Sequence, residues 1–156
     1  MSNFGHVHPV TAEVGGKVYT YRSKLEYRWA VWCQLRKEHG FILEWWFENE
    51  TLELESPKFR DKIRYIPDFT IKTTDGYEFQ ETKGWFTAAS AKKIKLAAEQ
   101  YENPITLIFA NLNDNSKSSK IRAQYGRAKR LEPHIKRIIY NADRDIFKPI
   151  KHLFEV

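Results

Sequence analysis

The chain has 156 residues, 42% of them apolar and 29% charged, which is the balance of one soluble globular domain with a real core. The formal net charge is +6, and the whole excess lies in residues 111–137, where eight Lys/Arg face two acids. Such a block suits a polyanion, nucleic acid above all, or else a solvated helix face; no apolar run approaches the ~20 residues of a membrane span, and "MSNFGHVHPV" lacks the apolar stretch of a secretion signal.

Residues 9–21, "PVTAEVGGKVYTY", predict a hairpin about Gly15-Gly16. Residues 23–39 predict a helix with Ser23 as its cap, Glu26 at the capping-box spacing, and an apolar stripe of Leu25, Trp29, Trp32 and Leu35 or Arg36. Gly40 ends it. Cys33 is the only cysteine, so no internal disulfide can form. Its neighbours Trp32 and Leu35 make it a core residue, and a reducing, cytoplasmic setting is expected. Residues 41–55 predict one or two strands, with Leu52 and Leu54 alternating against Glu53 and Glu55.

Residues 62–73 and 77–83 predict a second hairpin, with Asp75-Gly76 as a two-residue type I′ turn. Residues 88–101 predict a helix with Ile94, Ala97, Ala98 and Tyr101 inward. Residues 105–110, "ITLIFA", predict a buried strand. A polar loop, 111–119, leads to a helical pattern over roughly 119–140 that is interrupted at Gly126 and Pro133. Residues 141–156 are irregular, with Phe147, Leu153 and Phe154 as possible anchors. The order predicts an α/β fold with a mixed central β-sheet flanked by helices, in a single domain. Its core spans about 19–110, and a basic helical region follows over 111–156.

"YIPDF" (65–69) and "ETKG" (81–84) end apolar runs with Asp68, Glu81 and Lys83. Glu81 and Lys83, two apart on a strand, share a face. The predicted turn pairs residues whose numbers sum to about 151, so Asp68 is expected opposite Lys83 with Glu81 diagonal. Charges in such a setting must be paired or bind a metal. Hard carboxylate oxygens favour Mg²⁺, with Mn²⁺ as a substitute, in one or two ions. Thr82 would add a backbone carbonyl, and Glu26 a further carboxylate in place of a plain capping role. Lys83 would orient a nucleophilic water or offset charge on a phosphoryl group.

"YRSKLE", "PDF" and "ETKG", in this order, resemble the PD-(D/E)xK nuclease superfamily, and most of all the phage T7 endonuclease I family of Holliday junction resolvases. The likeness covers roughly residues 19–110. It implies a restriction-endonuclease-like core and a Mg²⁺-dependent endonuclease that resolves four-way junctions as an intertwined homodimer. It implies Asp68, Glu81 and Glu26 as metal ligands and Lys83 as the catalytic lysine. A bridge between protomers would draw on the acid-rich 44–55 region and the first hairpin. The approach "SPKFRDKIR" (56–64) is longer than the family's, and residues 138–156 have no counterpart in it.

For DNA contacts the expectation is Arg22 beside the site, Lys92 and Lys93 at the start of the second helix, and Lys117, Lys120, Arg122, Arg127, Lys129 and Arg130 in the basic block. Trp85, just past Gly84, is suited to the DNA cleft, whereas Trp45 or Trp46 suit burial. His6 and His8 form no expected site, and Ser23 lacks the partners of a serine nucleophile. Two other readings stand beside the resolvase: a transposon-end or restriction-type nuclease that cuts linear duplex, and a non-catalytic DNA-binding module on the same fold.

Overall fold

The computed structural model describes residues 8–56, 58 and 62–154. His6 and four residues of the 56–64 approach (Pro57, Phe59, Arg60, Asp61) therefore lie outside the described residues. Five strands form the central sheet: β3 (Glu44–Phe47), β6 (Phe69–Thr73), β7 (Gly76–Lys83), β8 (Ile105–Phe109) and β9 (Arg137–Ile139), in the order β3-β6-β7-β8-β9. The β3–β6 and β6–β7 pairs are antiparallel, and the β7–β8 and β8–β9 pairs are parallel. Two small antiparallel pairs flank the sheet, β1 (Val10–Val14) with β2 (Lys17–Tyr21), and β4 (Leu52–Leu54) with β5 (Ile63–Tyr65). Among the described residues there are three α-helices, α1 (Lys24–Glu38), α2 (Ala88–Gln100) and α3 (Ser119–Leu131), with short 3₁₀ and π turns after α3. The architecture is thus mixed α/β with a mixed central sheet covered by helices.

Both faces of the sheet are buried because the strand residues alternate between two cores. Phe79, Ile105, Leu107 and Phe109 pack against Ile94 and Ala97 of α2 and Ala128 and Leu131 of α3. Phe69, Ile71 and Ile108 pack against Trp29, Ala30 and Cys33 of α1, with Tyr21 of the first hairpin and Phe147. Each of the Leu, Ile and Phe side chains among them is worth about 1.5–3 kcal/mol when fully buried. The buried stripe of α1 is Glu26, Trp29, Ala30 and Cys33. Leu25, Trp32 and Leu35 are only half-buried, so the apolar stripe expected from the sequence is rotated and carries an acid at its first turn. The helix ends in a Schellman motif. Phe41 N–H donates to Arg36 O at 2.8 Å, Gly40 N–H to Lys37 O at 3.1 Å, and Gly40 takes a φ of +78°.

Three expectations are corrected. The β6–β7 turn is Thr74-Asp75, with Thr73 paired to Gly76, and the pair numbers sum to 149. Positive φ falls on Gly76 alone in this turn, which excludes type I′. Thr73 Oγ1 accepts from Asp75 N–H at 3.2 Å, so a side-chain turn sets the register in place of Asp-Gly. Second, 62–73 is not one strand: β5 and β6 are split at Ile66-Pro67-Asp68 and belong to different sheets. Third, the helix expected over 119–140 runs unbroken through Gly126 and stops at Leu131. Pro133 opens a short 3₁₀ turn, and β-branched Ile138 and Ile139 then join the sheet as β9.

Gly15 sits at a φ of +59°, and a Cβ built there would lie 2.1 Å from Gln34 Oε1. Gln34 cannot simply swing away, because the same oxygen accepts from the indole N–H of the fully buried Trp45 at 2.9 Å. Gly15→Ala therefore combines left-handed strain with a broken, partly buried hydrogen bond. A loss of about 1–3 kcal/mol is expected from the strain alone, read as a lower urea midpoint at unchanged slope.

Candidate active site

The site forms where β6 begins and β7 and β8 end. Asp68 lies one residue before β6, in register with Glu48 on the β3 side and Glu81 on the β7 side. Its carbonyl accepts from Glu48 N–H at 2.8 Å, and its own N–H donates to Glu81 Oε1 at 3.1 Å. Asp68 is therefore opposite Glu81 and not Lys83, because moving the turn back by one residue shifts the pairing by two. Because a shift of two keeps every side chain on its face, Asp68, Glu81 and Lys83 still converge.

The carboxylate of Asp68 is held tightly. Oδ2 accepts from both the backbone N–H and the hydroxyl of Thr82, each at 2.9 Å. Oδ1 accepts from Arg22 at 2.8 Å. Thr82 thus meets Asp68 through its N–H and side chain. Lys83 Nζ lies 3.7 Å from Glu81 Oε2 and is half-buried. Glu26 arrives from α1. It takes the capping position, with its own N–H on Ser23 Oγ at 3.2 Å, but its carboxylate turns to Arg22, accepting the backbone N–H at 2.6 Å and the guanidinium at 3.1 Å. The cap and the site are one structure.

Oxygens of Glu26, Glu48 and Asp68 all lie within 4.8 Å of one another, which suits a divalent cation. The donors are all hard carboxylate oxygens, so they fit Mg²⁺ or Mn²⁺ better than a thiolate-seeking metal. Glu81 stands outside that trio and faces Lys83. Glu48 was not among the residues singled out in the sequence. Its signal, the acid-rich "ENE" after β3, acquires meaning only from the β3–β6 register. Its φ of +49° is a left-handed conformation, unusual for a glutamate.

A cleft of about 230 Å³ opens on this cluster, lined among others by Arg22, Tyr65, Asp68, Glu81, Lys83 and Lys93. Burial raises the Glu81 carboxyl well above the usual range, and the charge of Asp68 adds to this against the opposing pull of Lys83. Glu26 is raised by burial and by Asp68, with Arg22 opposing. Tyr65 is raised by burial and then by Glu81 and Asp68. Its buried hydroxyl makes no well-formed hydrogen bond among the described residues.

The residues expected to contact DNA are dispersed. Lys93 lines the cleft, and Lys92 is exposed on the same helix. Arg22 is committed to the carboxylates. On and just before α3, Lys117, Lys120, Arg122, Lys129 and Arg130 are exposed. Arg122 donates to Ser116 O at 2.6 Å, and Lys129 pairs with Glu132 at 3.4 Å. Arg127 has a structural task, donating to Phe86 O at 2.6 Å, while the buried Gln124 accepts from Phe86 N–H at 2.7 Å. This pair clamps α3 to the Gly84–Phe86 loop directly after Lys83. Trp85 in that loop is half-exposed, whereas Trp45 is fully buried and Trp46 packs beside Tyr77.

The chain matches no family model, and comparison with curated proteins and with solved structures finds no significant match.

The raised Glu81 carboxyl has a stability consequence. Its folded pKa lies above the unfolded value, so the native state holds its proton more tightly. Stability is highest below the unfolded pKa and falls as pH rises toward the folded one. Glu81→Gln keeps an acceptor for Asp68 N–H and removes the buried charge. In metal-free buffer it is expected to raise the thermal midpoint at pH 7.5 and to change it less at pH 4, where the carboxyl is protonated in both states.

Proposed function

We propose that this chain is a divalent-metal-dependent endodeoxyribonuclease of the PD-(D/E)xK type that acts on branched DNA, four-way junctions foremost. The observation that carries this reading is the meeting of Asp68, Glu81 and Lys83 at one small cleft, with Glu26 from a third motif joined to Asp68 through Arg22. The five-stranded mixed sheet flanked by helices supports the same reading, since its order and the site at the β7–β8 ends suit a restriction-endonuclease-like core.

A bound Mg²⁺ would supply Lewis-acid charge to the scissile phosphate and a water of lowered pKa. Asp68 and Glu26, with Glu48, are the residues able to hold it. Thr82 fixes the Asp68 carboxylate through two hydrogen bonds, so its free lone pairs stay aimed at the cleft. Lys83, at the cleft wall, carries the charge that would offset the developing negative charge on a phosphate oxygen. Glu81 holds Lys83 from one side and the Asp68 backbone from the other. Lys93 at the rim adds positive potential for the backbone, and exposed Trp85 offers a stacking face for an unpaired base. The α3 clamp through Gln124 and Arg127 keeps the basic helix beside this rim. Two opposed cuts in a four-way junction need two such sites, so a homodimer belongs to the proposal.

With purified protein, Mg²⁺ is expected to support cleavage of a four-way junction in preference to nicked or linear duplex. Asp68→Asn and Lys83→Ala are each expected to lower the rate by about 10²–10³-fold or more. Undiminished cutting by both variants would refute the site. Sequence-specific cutting of linear duplex would favour a restriction or transposon-end enzyme, and binding without cleavage a non-catalytic module. Binding itself is expected to weaken with salt. Replacing Lys120 by Ala is expected to lower the log–log salt slope by about one if that side chain meets a phosphate.

A further inference from the structure

One terminal nitrogen of the Arg22 guanidinium lies 2.8 Å from Asp68 Oδ1, 2.9 Å from Glu48 Oε1 and 3.1 Å from Glu26 Oε2. These are the three carboxylates whose oxygens lie within 4.8 Å of one another. Ligands around one divalent cation, each at about 2.0–2.6 Å from it, have that mutual spacing. The guanidinium nitrogen and a divalent cation therefore claim the same position.

We propose that Arg22 is the resident counter-cation of the divalent-metal position, that Glu48 is one of that position's ligands, and that metal loading is an exchange. The ion takes the three carboxylates, and the guanidinium turns outward to the lip of the cleft. This rests on the metal-dependent nuclease reading above and adds to it a ligand outside the three sequence motifs and a competitor within the chain.

Four features carry the exchange. Two of the acids are buried and the arginine is not: the Glu26 and Asp68 side chains are 5% and 6% exposed, against 34% for Glu48 and 65% for Arg22. Glu26 does not depend on the guanidinium for its place, because its other oxygen accepts the Arg22 backbone N–H at 2.6 Å. The side chain can leave while Glu26 stays. Three carboxylates facing one guanidinium leave an excess of negative charge, which a divalent ion offsets more fully. Finally, the cleft holds a separate buried polar group. The hydroxyl of Tyr65, a residue only 3% exposed, lines the cleft with Asp68 and Glu81 and makes no well-formed hydrogen bond among the described residues. A hydrated ion brings water, which gives that hydroxyl a partner. Glu48 fits the ligand role in its backbone as well. Its left-handed φ turns the chain at the end of β3, and its N–H on Asp68 O keeps it beside that residue. Once released, the Arg22 fork stands at the site's edge with a geometry that matches a phosphodiester.

The test follows the Arg22 side-chain Nε–H resonance of ¹⁵N-labelled full-length protein during a Mg²⁺ titration, alongside Mn²⁺ affinities measured by electron paramagnetic resonance. Mg²⁺ is expected to shift the Arg22 resonance along the same saturation curve as binding. Arg22→Met is expected to bind Mn²⁺ about five- to tenfold more tightly, since the competing occupant is gone. Glu48→Gln is expected to bind about tenfold more weakly, having one ligand charge fewer. Mg²⁺ saturation with an unmoved Arg22 resonance overturns the exchange, and this measurement needs no variant to fold. An Arg22→Met affinity equal to wild type overturns it too, and a wild-type affinity in Glu48→Gln removes Glu48 as ligand. Those failures leave the nuclease reading standing as long as Asp68→Asn abolishes Mn²⁺ binding. Absence of Mn²⁺ binding in every protein, or undiminished binding in Asp68→Asn, would defeat the metal position and this proposal together.

Discussion

Everything at the site follows from the register of three adjacent strands. Asp68 is bracketed by main-chain contact with Glu48 on one side and by the Glu81 side chain on the other, so three carboxylates lie in a row across the sheet. Like charges this close, and largely out of water, repel one another. The fold tolerates them because two cations are built in at opposite ends. Arg22 faces Glu26, Glu48 and Asp68, and Lys83 faces Glu81. What remains uncompensated appears as the raised carboxyls of Glu81 and Glu26. A site in this condition favours a further positive charge, which is the physical ground for reading it as a metal position.

The two helical layers hold that row from both faces. On one face, Glu26 occupies the first turn of α1, and the buried stripe that continues it, Trp29, Ala30 and Cys33, locks the helix to the sheet. Trp29 Nε1 donates to Gln80 Oε1 at 2.8 Å, tying α1 to the strand that carries Glu81. On the other face, Ile94 and Ala97 seat α2 so that Lys93 reaches the cleft rim. The Gln124 and Arg127 contacts to Phe86 then couple α3 to the loop after Lys83. Stability and chemistry here share residues. A change at Gln124 or Trp29 reaches the site through packing, with no contact to a substrate.

Some of the architecture was legible in the chain. Gly15-Gly16 marked the first hairpin, Ser23 and Gly40 marked the ends of α1, and the 3.6-residue spacing of Ile94, Ala97 and Ala98 matched α2. The convergence of Asp68, Glu81 and Lys83 was legible because strand periodicity keeps alternate residues on one face whatever the exact register. Other features were not. Asp75-Gly76 promised a type I′ turn, but the Thr73 hydroxyl captured the Asp75 N–H and moved the turn back by one residue. The 137–139 strand was hidden because Ile and Arg in a short run suit a helix or a strand equally, and only a parallel partner in β8 decided between them.

Local signals in the sequence were enough to determine caps, the first hairpin, the two-residue periodicity of the acids and the lone core cysteine, because each depends on neighbours a few positions away. Which acids share an oxygen cluster was decided by tertiary structure alone. Glu48 is 20 residues from Asp68 and 22 from Glu26 in the chain. Only hydrogen bonding of β3 to β6, and packing of α1 across the sheet, bring the three within reach of one Arg22 nitrogen. Pairing of distant strands is set by burial of both sheet faces, a property of the whole core that no single segment of the chain contains.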